Sequence, residues 1–181
     1  TAPGHPEIEV ILAPNPGPMT LEGTNTYVVD SGGEVYVIDP GPNLAGHLES
    51  VHQAATARGP IAGVLLTHGH SDHTAGVEAF GERVLWGRPS QGDETAGLAA
   101  AGEPVADPPE TVGAFAVVPT PGHAADHVGF VLGDVCFCGD LILGRGSSIV
   151  PPRAAGGSLA DYMASLRRVR ELGASLLAPG H

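Results

Sequence analysis

The chain has 181 residues, is 42% hydrophobic and carries a formal net charge of −12, with 20 Asp and Glu against 8 basic residues, every one of them Arg. That length buries one sizeable core and fits a single domain, 1–181. So acidic a chain repels phosphate backbones, and a nucleic-acid partner would have to be held by metal ions or a local arginine patch. No run approaches the about 20 apolar residues of a membrane span and no basic-then-apolar leader opens the chain, so no membrane association is expected.

Ile8, Val10 and Leu12 alternate with Glu7, Glu9 and Ile11, an imperfect two-residue period that predicts an edge or half-buried strand, broken by the proline-rich run 13–18. Runs 25–29 and 34–38 are β-branched and aromatic and predict a hairpin through 30–33, the second strand ending at Asp39. Leu44, Leu48, Val51 and Ala55 recur at helical spacing, so a helix spans 44–58 and stops at Gly59 and Pro60. His47 and His52 fall within it and read as histidines of a helix surface or groove. The apolar run 64–67 predicts a buried strand, 74–80 a short helix and 84–86 a brief strand; 90–101 reads as helix on its alanine content and 102–109 as loop. A buried strand at 114–118 ends in the turn that carries His123. Runs 127–132 and 135–138 form a second hairpin about Gly133 and Asp134, followed by Gly139 and Asp140. Cys136 and Cys138 fall on one face of that strand, poorly placed for a disulfide, which fits either a reducing, cytoplasmic compartment or simple core packing. Ser158 to Asp161 reads as a capping box with Asp in the usual Glu position. It opens a helix whose stripe of Leu159, Tyr162, Met163, Leu166, Val169 and Leu172 is expected to be core, with Gly173 as its stop.

One feature recurs through these elements: an apolar strand runs into a tight Gly- or Pro-containing turn that carries a metal-competent side chain, at Asp39, from His68 onwards, and at His123, Asp140 and His181. Two related halves, packed sheet against sheet with helices outside, follow from it. Strand tips hold ligands rigidly, as a metal site requires. The densest cluster is 68–73, where His68 and His70 lie on the same side of extended backbone and can converge on one ion. A bend at Ser71 would turn Asp72 and His73 towards a neighbouring point. The candidates His68, His70, Asp72, His73, His123, Asp140 and His181 are too many for one tetrahedral ion and suit two divalent ions sharing a bridge. Asp140, the lone strand-end carboxylate after the His123 turn, is the expected bridge. Imidazole and carboxylate suit Zn2+ and also iron or manganese. A water shared by two such ions falls in pKa from about 15.7 to roughly 7, so a bridging hydroxide can attack an ester-like or phosphodiester bond at neutral pH. Asp72 and Asp140 are expected to serve catalysis as ligands, and His127 as their outer partner or as proton donor to the leaving group. Arg145, Ser147 and Ser148, just after the bridge, could face substrate.

The run 67–73, with 120–123, Gly139-Asp140 and Pro179-Gly180-His181, resembles the metallo-β-lactamase fold superfamily over nearly the whole chain. The resemblance implies an α/β (α+β) four-layer αββα sandwich. It further implies a first metal on His68, His70 and His123, a second on Asp72, His73 and His181, and Asp140 between them. Within the superfamily the run 15–27, Asp126-His127, 139–144 and 161–166 are similar to the beta-lactamase-like protein 2 group and its bacterial relatives, which include a single-stranded RNA endonuclease and polyketide thioesterases. Glyoxalase II, a thioester hydrolase, shares the ligand set. Antibiotic cleavage is not implied, because those members generally lack the bridging aspartate; nor is flavodiiron chemistry, which usually has Glu where His70 stands. The family continues past its last ligand with a strand and a helix, whereas this chain stops at His181, so the domain is expected to lack its C-terminal end. Three functions are carried forward: single-stranded RNA hydrolysis, thioester hydrolysis of a small acyl substrate, and a non-catalytic metal-binding module.

Overall fold

The computed structural model describes residues 1–81, 84–87 and 108–181. Its first sheet holds five strands in spatial order, β1 (Ile8–Leu12), β2 (Asn25–Ser31), β3 (Glu34–Ile38), β4 (Ile61–Leu65) and β5 (Val84–Trp86). The second sheet mirrors it with β6 (Thr111–Val112), β7 (Phe115–Pro119), β8 (Val128–Leu132), β9 (Val135–Gly139) and β10 (Leu176–Pro179), ordered β10-β9-β8-β7-β6. The two sheets pack face to face, giving the expected sandwich.

Alternation along the strands divides the core into layers. Tyr27, Val29, Tyr36 and Ile38 point between the sheets with Phe115, Phe130 and Phe137, and Phe115 meets Tyr36 edge-on at 5.2 Å between centroids. The intervening residues Val28, Val35 and Val37 face α1 (Ala45–Arg58), which seals the outer surface with Leu48, Val51 and Ala55. Both faces of β3 are therefore covered, which is why its sequence reads as an unbroken apolar run. In the second sheet Val135 and Phe137 point inward, whereas Cys136 and Cys138, both free thiols, pack outward with Leu141 and Val169. Val169 belongs to α3 (Leu159–Leu172), the outer helix of that half.

Two sequence expectations are corrected here. The stripe expected along α3 holds only in part: Tyr162, Leu166 and Val169 pack inward with Ser165, but Leu159, Met163 and Leu172 are 66%, 42% and 40% exposed. The buried face follows the steps 162, 165, 166 and 169, and the other three lie beside it or at the helix end. The single helix expected over 74–80 is instead a helical turn, α2 (Ser71–Thr74), and a separate 3-10 turn, Val77–Phe80, divided at Gly76. A side chain on Gly76 would press on Leu48 and the Gly41 carbonyl. Ser158 caps α3 as expected, its Oγ accepting the Asp161 N–H at 3.3 Å, and Gly173 ends it in the left-handed region. The helix expected over 90–101 and most of the loop expected over 102–109 lie outside the described residues. Among the described residues no helix is long and apolar enough to cross a membrane.

Strand direction explains where the chemistry gathers. β3 and β4 are parallel, as are β9 and β10, and β7 shares the direction of β9 because each is antiparallel to β8. The segments following β3, β4, β7, β9 and β10, which begin with Asp39, Leu66, Thr120, Asp140 and Gly180, thus leave their strands in common directions. Two of them are tied to a strand of the opposite sheet, Thr67 O accepting the Val128 N–H of β8 at 2.8 Å and Gly180 O the Asn25 N–H of β2 at 2.7 Å.

Candidate metal centre

The chain bends at Ser71, as expected, and α2 places Asp72 and His73 beside the two histidines that follow β4. Among the described residues three groups of side chains come close enough to hold an ion: His68, His70 and His123; His68, His73 and Asp140; and Asp72, His73 and His181. Every candidate ligand named from the sequence is in one of them.

In the first group His70 Nδ1 lies 2.9 Å from His68 Nε2 and 3.1 Å from His123 Nε2. The outer nitrogens fix the tautomers, as assigned from the bonding pattern. His68 Nδ1–H donates to Thr67 Oγ1 at 3.0 Å and His123 Nδ1–H to the Ile149 carbonyl at 2.7 Å, so both Nε2 atoms present bare lone pairs inward. One proton on His70 can satisfy only one of these lone pairs, whereas a cation would satisfy all three. In the third group, which forms the second ligand set, Asp72 Oδ2 is 3.4 Å from His73 Nε2 and 3.1 Å from His181 Nε2. Asp140 reaches both sets, Oδ1 at 3.4 Å from His73 Nε2 and Oδ2 at 3.4 Å from His181 and 3.7 Å from His123. Ligands 2.0–2.1 Å from a tetrahedral ion stand about 3.4 Å apart, so these spacings fit shared coordination. Among the described residues the buried atoms His73 Nε2, Asp140 Oδ1 and His181 Nε2 make no hydrogen bond, the orphaning that a bound cation would relieve. Backbone room is made by Gly180, where a Cβ would fall 2.3 Å from Asp140 Oδ1 and 2.7 Å from His73 Cε1.

Electrostatics divide the two sets. Burial, reinforced by His73 and His70, drives the His68 imidazole well below its ordinary range; burial and then His123 bring His70 down to about 4. Burial pulls His73 the same way, but the carboxylates of Asp72, Asp140 and Asp39 outweigh it and hold His73 well above the usual value. His181 likewise rises to about 9 against burial, through its contacts with Asp140 and Asp72. Burial would raise Asp140, yet His73 and His181 hold it well below the carboxylate range, and Asp72 falls to about 2 in the same way.

Asp39 is not among the ligands expected from the sequence, and the structure gives it a place behind both sets. Its Oδ2 accepts His73 Nδ1–H at 2.9 Å and Thr67 Oγ1–H at 2.7 Å, and its Oδ1 accepts the Thr67 N–H at 2.8 Å. One carboxylate therefore orients His73 directly and His68 through Thr67. Asp39 does this from a left-handed conformation, φ 49. The signal was present, since Asp39 ends a strand as the ligands do, but nothing in spacing separates a ligand from a residue that aims one. His47, expected on a helix surface or in a groove, is buried; its Nε2 is 3.1 Å from both the Pro40 carbonyl and Thr26 Oγ1, and Thr26 in turn donates to Asp39 O. His52 stays on the exposed side of α1. The proton-donor role expected for His127 is corrected: Nδ1–H donates to Thr120 Oγ1 at 2.8 Å and Nε2 accepts the Asp140 N–H at 3.1 Å, leaving no ring proton to give. Arg145 is exposed and lies 3.7 Å from Glu22, and Ser148 Oγ is 3.3 Å from His123 Nδ1.

A family model described as the metallo-beta-lactamase superfamily matches residues 19–84 and 100–181. The Caenorhabditis elegans Beta-lactamase-like protein 2 homolog is 32% identical over 94% of this chain and 60% of its own length. The Aspergillus fumigatus Atrochrysone carboxyl ACP thioesterase is 35% identical over 99% of this chain and 59% of its own. This chain thus spans less than two thirds of either relative. Among solved structures, TTHA1623 in a di-iron-bound form superposes with a TM-score of 0.72 at 26% identity, over 96% of this chain and 91% of that one. Motif, sandwich and ligand geometry agree with these likenesses, and the chain belongs to the metallo-β-lactamase superfamily.

Proposed function

We propose that the chain is a dinuclear metal-dependent hydrolase acting on an ester-like bond, a thioester first. His68, His70 and His123 would hold one ion, Asp72, His73 and His181 the other, with Asp140 between them. The observation that carries this reading is the reach of Asp140 to His73, His123 and His181 within 3.7 Å, its own Oδ1 making no hydrogen bond among the described residues. Paired divalent ions supply a water of roughly neutral pKa and polarise the bond to be cleaved. This chain's residues do the rest: Asp39 and Thr67 fix the tautomers of His73 and His68, and the Ile149 carbonyl fixes that of His123. His127 holds the backbone N–H of Asp140, keeping that carboxylate aimed at both sets. Zinc fits the donor set, and iron is supported by the di-iron form of a similar structure.

The thioester is supported by the relative named as an ACP thioesterase and by the charge of −12, which disfavours a polyanion. A second reading, single-stranded RNA cleavage, is favoured by the likeness to the Beta-lactamase-like protein 2 homolog. Cleavage of acyl thioesters and of single-stranded RNA by the metal-loaded protein, compared at several salt concentrations, separates the two. Thioester turnover with little salt dependence is the expected result, and RNA turnover with a steep salt slope would replace it. A protein that carries both ions and cleaves neither is a binding module.

A further inference from the structure

The loop 13–24, which opens with the proline-rich run 13–18, forms no strand or helix in the fold. We propose that this loop is a positioning device for the second metal ion alone, with Asn15 and Thr24 as its positioning residues. The proposal rests on the dinuclear reading above.

Asn15 and Thr24 clasp each other reciprocally, Asn15 Oδ1 accepting the Thr24 N–H and Asn15 Nδ2 donating to Thr24 Oγ1, each at 3.0 Å. The pair of bonds also fixes which way round the Asn15 amide stands. Thr24 Oγ1, already accepting from Asn15, is left with its own proton to donate, and Asp72 Oδ2 lies 3.4 Å away. Thr24 is fully buried, so no water competes for that proton. One residue earlier, the Gly23 carbonyl accepts His181 Nδ1–H at 3.0 Å, which fixes the tautomer that turns Nε2 to the site. Consecutive residues of one loop therefore aim two of the three ligands of the second set.

The loop's own shape is fixed by bonds within it. The Ala13 N–H reaches the Thr24 carbonyl at 2.8 Å and the Gly23 N–H the Thr20 carbonyl at 2.8 Å. Gly23 is required where it stands, at φ +141 with the Ala13 carbonyl 2.0 Å from where a Cβ would be. The first set has other supports, Thr67 behind His68 and Ile149 behind His123, neither of them in this loop. Loss of the clasp should therefore unbalance the two ions instead of weakening both.

The test is a calorimetric titration of the metal-free full chain with Zn2+ alone, with metal content read on the dialysed product. Thr24→Val keeps the shape and the N–H bond to Asn15 but has no proton for Asp72. It should weaken the second equivalent by about 10–100-fold, the usual effect of removing an outer partner, and leave the first unchanged. Thr24→Ser should restore the wild-type pattern, which a purely structural role for the side chain would not predict. Should Thr24→Val fail to fold, Asn15→Ala, which frees the loop but keeps the hydroxyl, is judged by the same split. Equal weakening of both ions, weakening of the first, or no change overturns the proposal and leaves the dinuclear reading standing. A wild-type chain that takes up one Zn2+ only overturns both.

Discussion

The two halves of the centre are built from the same residue types yet are prepared for metal in opposite ways. At His68, His70 and His123, two imidazoles are depressed by burial and by one another, and their outward bonds leave lone pairs facing inward. At Asp72, His73 and His181, carboxylates win over burial and hold two imidazoles on the protonated side. The first half is ready to coordinate, whereas the second must release protons to do so. Asp140 belongs to both, so the difference lies in what surrounds it and not in the scaffold.

The comparison is broken most completely at the shared residue. Asp140→Ala should remove at least one ion and lower hydrolytic kcat/KM beyond the roughly 100-fold that loss of an outer partner produces. Full activity with two ions by elemental analysis would refute the bridge. Asp39→Ala comes next: it strips the partner of His73 and of Thr67, so metal affinity should fall about 10–100-fold in both halves. Metal-free stability should fall as well, by about 1–3 kcal/mol for each buried donor left unpaired. Denaturant midpoints of the metal-free variant check the second part, and an unchanged midpoint would contradict it.

Acidity sharpens the contrast further. The unfolded chain takes up a proton at His70 below the ordinary 6.5, while the folded chain resists until about 4. That contribution to stability is present above 6.5 and lost as pH falls towards 4. His181 has the reverse sign: raised to about 9 from 6.5, it contributes fully below 6.5, and the contribution is lost as pH rises through 9. Metal-free stability should therefore be greatest near 6.5 and decline on both sides of it, towards 4 and towards 9. A midpoint that climbs steadily through the whole range would show that the second set is not protonated. The smallest effect is calorimetric. Near neutral pH the second equivalent of metal should displace more protons than the first, seen as a dependence of its heat on the buffer's ionisation enthalpy.

Much of this was legible in the sequence because it is local. His68, His70, Asp72 and His73 sit within six positions, and the strand tips at His123, Asp140 and His181 announce themselves by the same glycine-containing turns. The sandwich was legible because each half repeats strands around an outer helix. What stayed hidden is what acts at a distance or depends on which atom points where. Asp39 and Asp140 look alike as aspartates ending strands, and only the fold shows Asp39 behind the histidines and Asp140 among them. His127 beside Asp126 reads as a proton donor until both its nitrogens are found engaged, one with Thr120 and the other with the backbone of Asp140. The apolar spacing of α3 overstated its core because Leu159 and Leu172 occupy the first and last positions of the helix, where its buried face runs out.

Anomalous diffraction from crystals of the metal-loaded protein addresses the central claim most directly. Two peaks are predicted, one among His68, His70 and His123 and one among Asp72, His73 and His181, with the Asp140 carboxylate between them. A single peak, or peaks away from these side chains, would contradict it.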